Sequence, residues 1–334
     1  MMLDVFNHFM PKPIMDRLSE LVPGHVALTA FPELPTLWDI DARLRLMDEF
    51  DGYQQVLSLA NPPIEMLGSS DRTPEYARIA NDGLAELCRK HPDRFPCFIA
   101  SMPMNNVGAC LQEMDRAIRD LGARGIQIFT NVLGNPVSAP EFRPIFQRMA
   151  KHGLPVWVHP IRGPNFADYP TEAASENEIW FTFGWPYETT ACMTRLIYSG
   201  LFDELPDLKI ITHHMGGMIP YFAGKIDLGF NQIFFGDTGK NPVAEKAGLK
   251  QPPITYYKKL YADTALNGDA NATRCGHGFF TSDHCVFATD APFDADQGRW
   301  LIGGTIKAVE TLDISDAERA KIFSGNAKKL MKLN

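Results

Sequence analysis

No two of the six cysteines stand in CxxC spacing; Cys88, Cys97, Cys110, Cys192, Cys275 and Cys285 are scattered along the chain. At 334 residues the chain is too large to need disulfide staples, so reduced core or surface thiols are expected. No apolar run reaches the ~18 residues that cross a bilayer, and the start MMLDVFNHFM has no basic segment followed by a long apolar one. A soluble, cytoplasmic protein without a membrane partner is the expectation. Blocks of lysine and arginine are also missing, and 32 basic against 40 acidic side chains leave a formal charge of −8. Such a surface does not neutralise phosphate backbones, which argues against a nucleic-acid partner. Repeats and low-complexity tracts are absent. What remains, 45% hydrophobic and 22% charged, can bury one large core, so a single domain over 1–334 is expected.

Short β-rich runs recur at Leu3–Phe6, Gln55–Leu59, Cys97–Ser101, Gly125–Phe129, Pro155–His159, Lys209–His213, Lys259–Asp263 and Cys285–Thr289. Segments with helical periodicity separate most of them: WDIDARLRLMDEF places Leu44, Met47 and Phe50 on one face, PEYARIANDGLAELCRK repeats apolar positions, and ACLQEMDRAIRDLG ends on Gly122. Eight strand–helix alternations predict an α/β fold, a (β/α)8 TIM barrel, with inserted loops over its C-terminal face. The irregular stretches Leu21–Thr36 and Ile161–Trp185 are the loops expected to cover or line the site.

In such a barrel the strand ends open onto the active-site face. His159 ends LPVWVHP, Asp290 follows the apolar part of HCVFATDAP, and His214 closes LKIITHH. On the first strand Asp4, Phe6 and His8 are expected to share one face by alternation, with His8 inward and Asn7 on the opposite side. A buried Asp290 must be paired or metal-bound to avoid a desolvation cost of several kcal/mol. His8, His159 and Asp290 together suit one divalent ion, zinc first and manganese second, with a position open for water or substrate. GIQIFTN at the end of the fourth strand offers no lysine for a bridging carbamate, so one ion is the ceiling; no organic cofactor is expected.

The ordered set LDVFNH, WDIDARLRLMD, VWVHP, ETT, RLIYSGLFDELPDLKIITHHMGG, YADTA, FATDAPF and SGNAKKL resembles the amidohydrolase superfamily, in the branch of aminocarboxymuconate-semialdehyde and γ-resorcylate decarboxylases. The resemblance covers nearly the whole chain. It implies a (β/α)8 barrel with a mononuclear metal site and non-oxidative decarboxylation of an unsaturated or aromatic acid; a homodimer or homotetramer is expected. By that likeness His159 is the strand-5 ligand, Asp290 the strand-8 carboxylate and His214 a strand-6 acid/base histidine. One departure stands out: the first strand of the family carries two histidines one residue apart, or a glutamate first, where this chain has Phe6.

Decarboxylation leaves an electron pair on carbon, so a proton must be delivered there, with Asp290 and His214 as the candidates. Arg43 and Arg162 are candidate carboxylate clamps, because a guanidinium fork matches a carboxylate; for Arg43 a solvated helix face is the competing reading. Trp180, Phe181, Phe183 and Trp185 could stack on a planar substrate or pack the loop itself. Glu188 could hydrogen-bond a metal-bound water or begin a helix. Gly216 and Gly217 are expected to let substrate approach beside His214, and His213 to point into the strand–helix layer. His25, His91, His152, His277 and His284 have no site context. Hydrolysis or hydration on the same barrel, and a metal-free binding protein suggested by Phe6, are the alternatives to decarboxylation.

Overall fold

The computed structural model describes residues 1–21, 27–229, 233 and 241–333. Its eight barrel strands are β1 (Met2–Phe9), β2 (Tyr53–Leu59), β3 (Ala100–Ser101), β4 (Ile126–Phe129), β5 (Val156–His159), β6 (Ile210–Thr212), β7 (Tyr261–Asp263) and β8 (Cys285–Val286). All neighbours pair in parallel: β1 with β2, and β3 through β8 in order. Two seams close the ring. A parallel bridge between Leu57 and Phe98 joins β2 to the run before β3. Across the other seam Val5 N donates to Phe287 O at 2.9 Å, Asp290 N to Phe6 O at 3.0 Å and His8 N to Ala291 O at 2.7 Å. The last two bonds tie the two strand ends that carry His8 and Asp290 directly to one another.

The helices form where amphipathic periodicity meets a cap. Asp39 accepts from the backbone of Asp41 and Ala42 to start Ile40–Met47, and Asn106 accepts from Ala109 N to start Val107–Arg119. Thr73–Lys90 buries Tyr76, Ala77, Ala80 and Leu84 along one stripe. Phe50, expected on the face of Leu44 and Met47, lies beyond the end of its helix. A core cluster of Leu3, Val5, Phe6, Val56, Trp157 and Ile211 is joined by Leu330 and Met331 of the helix Asn326–Met331. Among the described residues no helix is long and apolar enough to cross a membrane.

Strand β1 departs from simple alternation. Asp4 pairs with Gln55 but Asn7 with Leu57, so Val5 and Phe6 together oppose Val56, a β-bulge. Asp4 is thereby separated from Phe6 and His8. Its Oδ1 accepts from Phe6 N at 3.1 Å and Thr289 N at 3.2 Å, and its Oδ2 from Tyr53 OH at 2.5 Å and Thr289 Oγ1 at 2.6 Å. This carboxylate staples the bulge to the chain just before Asp290.

Arg43 is not at the mouth. It is fully buried behind β1, where Nε donates to Thr36 O at 2.6 Å, Nη1 to Asn7 Oδ1 at 3.3 Å and Gln55 Oε1 at 3.0 Å, and Nη2 to His8 O. A guanidinium with its fork spent on the barrel wall cannot clamp a substrate carboxylate, so Arg43 is a positioning group for the end of β1. Arg43→Leu strands several buried acceptors, and urea unfolding should show a loss of about 3–5 kcal/mol. A loss below about 1 kcal/mol accompanied by weaker substrate binding would return Arg43 to the clamp role.

Candidate metal centre

His8 at the end of β1, His159 ending β5 and Asp290 after β8 converge, with their ligand atoms all within 4.8 Å of one another. His8 Nε2 lies 2.8 Å from Asp290 Oδ1. The His159 Nδ1–H donates to Pro160 O at 2.6 Å; a carbonyl only accepts, so Nε2 keeps its lone pair for a ligand. Burial, with the neighbouring His213 and His8, pushes the His159 imidazole well below its ordinary pKa and keeps it neutral. Burial works the other way on Asp290, yet hydrogen bonds from His214 and His8 outweigh it and hold that carboxyl well below the usual range, ionised. His159 and Asp290 thus stand in the protonation states a divalent cation requires, and with His8 the donor set of two imidazoles and a carboxylate suits such an ion.

His214 Nε2 lies 3.6 Å from Asp290 Oδ2. Burial lowers its pKa, but the Asp290 carboxylate prevails and raises it above the ordinary value. The backbone is left-handed at both residues, φ +51° at His214 and +63° at Asp290, a conformation that costs of order 1–3 kcal/mol for a non-glycine residue. Asp263, ending β7, holds the first of these turns: its Oδ1 accepts from His214 N at 2.9 Å. Sequence reasoning passed over Asp263 except as part of YADTA.

His213 does not enter the strand–helix layer. Its ring is 3.7 Å from that of Phe6 and 5.1 Å from that of His159, and Nδ1 is 2.5 Å from Asp263 Oδ2. Strand β6 stops at Thr212, so alternation no longer separates the two histidines. The glycines serve packing rather than substrate: a Cβ on Gly217 would meet Pro186 O at 2.4 Å, and one on Gly216 the Phe280 ring at 2.9 Å.

The roof comes from the segment after β5, whose end is helical rather than irregular as expected: Trp180 and Phe181 lie in the helix Ile179–Thr182 and Trp185 in the first turn of Gly184–Tyr198. The Trp185 ring is 5.3 Å from that of His159 and 6.4 Å from that of His214, and its Nε1 donates to Arg162 O at 3.0 Å. Phe181 and Trp180 pack on Trp185, whereas Phe183 is exposed. Arg162 Nη1 donates to Glu188 Oε1 at 3.1 Å, both half-buried. Phe293, not singled out from sequence, stands 5.2 Å from His8. Part of Leu21–Thr36 lies outside the described residues, as does His25; His91, His152, His277 and His284 contact Phe95, Asp115, Ser282 and Leu260, away from the centre.

Phe6 faces this cluster directly, 4.7 Å from His8 and 5.7 Å from His159. An imidazole there would reach the ion, so Phe6→His should slow metal loss to a competing chelator by about tenfold or more. Unchanged loss would mean that position 6 offers no ligand.

The chain matches the amidohydrolase family over residues 4–333. It is 32% identical to γ-resorcylate decarboxylase of Polaromonas sp. over 324 residues, 93% of each chain. It is 28% identical to 2-amino-3-carboxymuconate-6-semialdehyde decarboxylase of Dictyostelium discoideum over 299 residues, 89% of this chain and 77% of that one. The solved dihydroxybenzoic acid decarboxylase of Polaromonas sp., with bound manganese and the inhibitor 2-nitroresorcinol, superposes with a TM-score of 0.78 at 29% identity, covering 99% of this chain and 96% of that one. A barrel closed through β1 and β8, two imidazoles and a carboxylate at its mouth, and a match along nearly its whole length place the chain in the amidohydrolase family.

Proposed function

We propose that this single-domain barrel is a metal-assisted, non-oxidative decarboxylase, a carboxy-lyase, acting on an aromatic, heteroaromatic or muconate-like carboxylic acid. The observation that carries the reading is the set His8, His159 and Asp290 with His214, whose proton affinity that carboxylate raises, at 3.6 Å from it. The decarboxylase relatives supply the reaction class.

A divalent ion held by His8, His159 and Asp290 would supply Lewis-acid chemistry, drawing electron density from the oxygens of a bound carboxylic acid. Two imidazoles and a carboxylate accept zinc or manganese, and the structurally similar decarboxylase carries manganese. Trp185 covers the planar substrate and excludes water. Arg162, held by Glu188, keeps its remaining N–H groups for a substrate oxygen. His214 gives its proton to the carbon that bears the carboxylate, the C–C bond breaks with its electron pair returning to the ring, and CO₂ leaves. Asp290, already ionised, steadies the imidazolium beforehand and takes no proton. Solvent restores the proton to His214. We also assign the enzyme to the cytoplasm and to a homodimer or homotetramer, which light scattering would test.

Product analysis is the experiment. Dihydroxybenzoates and muconate-like acids should yield CO₂ and the product lacking one carboxyl group; lactones and amides should be left intact. Water added to a substrate without release of CO₂ would transfer the barrel to hydrolysis or hydration.

A further inference from the structure

A small cavity of about 10 Å³ lies between the ends of β2, β3 and β4, its lining mostly apolar but including Glu65, Ser101 and Gln127. That is room for one water molecule. Three of its oxygens, Glu65 Oε1, Ser101 Oγ and Gln127 Oε1, have no hydrogen-bond partner, although the residues are only 2%, 4% and 3% exposed. Three orphaned polar atoms around one small space are costly unless something satisfies them. One water has the hydrogens and lone pairs for all three: a hydrogen for each of Gln127 Oε1 and Glu65 Oε1, and a lone pair for the Ser101 hydroxyl hydrogen. Burial pushes the Glu65 carboxyl up to about 8, so at neutral pH it is uncharged and needs a hydrogen-bonding guest rather than a counter-ion.

The other end of the Gln127 amide faces the metal centre. Nε2 donates to Leu59 O at 3.3 Å, and His8 Nδ1 lies 3.5 Å from the same oxygen. Without an ion, Nε2 of the same ring donates to the ionised Asp290 carboxylate at 2.8 Å; once an ion takes the Nε2 lone pair, the ring proton stands on Nδ1, and Leu59 O is the oxygen placed to accept it. We propose that Glu65, Ser101 and Gln127 enclose one buried water molecule, and that Gln127, anchored by it, is a positioning residue that fixes the orientation of the His8 ring through the Leu59 carbonyl. The consequence for metal affinity rests on the metal reading given above; the water and the ring orientation do not.

Two measurements test this. A high-resolution crystal structure of the unmodified protein should show an ordered water within hydrogen-bond distance of all three oxygens; a dry cavity overturns the enclosure. In Gln127→Met, the dissociation constant for zinc, measured by chelator competition, should rise about 10–100-fold, and the His8 imidazole resonances of the metal-free protein should shift from those of the parent as the ring loses its fixed orientation. Unchanged affinity with an unchanged His8 spectrum overturns the positioning role. A fall in thermal stability alone, with the spectrum intact, overturns it as well. If the unmodified protein takes up no zinc, the metal reading fails, and the His8 spectrum still decides the role of Gln127.

Discussion

Asp290→Asn should lower turnover by about 10³–10⁴-fold or more while the far-UV circular dichroism spectrum stays that of the parent. The substitution keeps the shape of the side chain and removes its charge. That charge faces His8 Nε2 at 2.8 Å and His214 Nε2 at 3.6 Å, so one neutral amide both weakens the ion site and lets the His214 imidazole lose its raised proton affinity. Metal content should fall in parallel. His159→Ala should act alike through the ion, without changing the state of His214. Both positions stand at strand ends rather than in the packed interior, so the barrel should survive them. Loss of the folded spectrum in either variant would mark that residue as structural.

His214→Asn separates proton delivery from ligation. As the donor, its loss should reduce kcat by about 10²–10⁴-fold with a smaller change in KM and with metal content intact. A residue that only ligates would instead lose metal, and excess metal would restore part of the rate. A residue that only packs would keep both and lose thermal stability. The raised pKa of His214 gives the sign of the pH profile: the donor is present below that value, and kcat falls as pH rises through it. In His214→Asn this alkaline limb should disappear. A near-normal kcat would remove His214 from the mechanism.

The barrel was legible because short apolar runs alternate with helical periodicity, and the runs at Pro155–His159 and Gln55–Leu59 differ from β5 and β2 by only one or two residues. The convergence of His8, His159 and Asp290 could be anticipated because strand ends in a parallel barrel share one face. What escaped depended on contacts between distant segments. The bulge at Val5–Phe6 is invisible to an alternation argument, which therefore put Asp4 beside His8 instead of against Thr289. Arg43 on an amphipathic helix reads as a surface or substrate group; only the oxygens of Thr36, Asn7, Gln55 and His8 brought around it explain its burial. Alternation likewise sent His213 outward, because it assumed that strand geometry continues past Thr212. Glu65 sits in PPIEML, which looks like an ordinary turn, and nothing local shows that its carboxyl is enclosed.

The central claim is that CO₂ leaves a substrate held at an ion bound by His8, His159 and Asp290. The most direct measurement is to titrate metal-free protein with manganese while following ¹³CO₂ from carboxyl-labelled 2,6-dihydroxybenzoate or a related hydroxybenzoate. Release should rise from baseline and saturate at one ion per chain, and Asp290→Asn should show no rise at the same concentrations. Undiminished ¹³CO₂ from the metal-free protein, or equal metal activation of Asp290→Asn, would contradict the account.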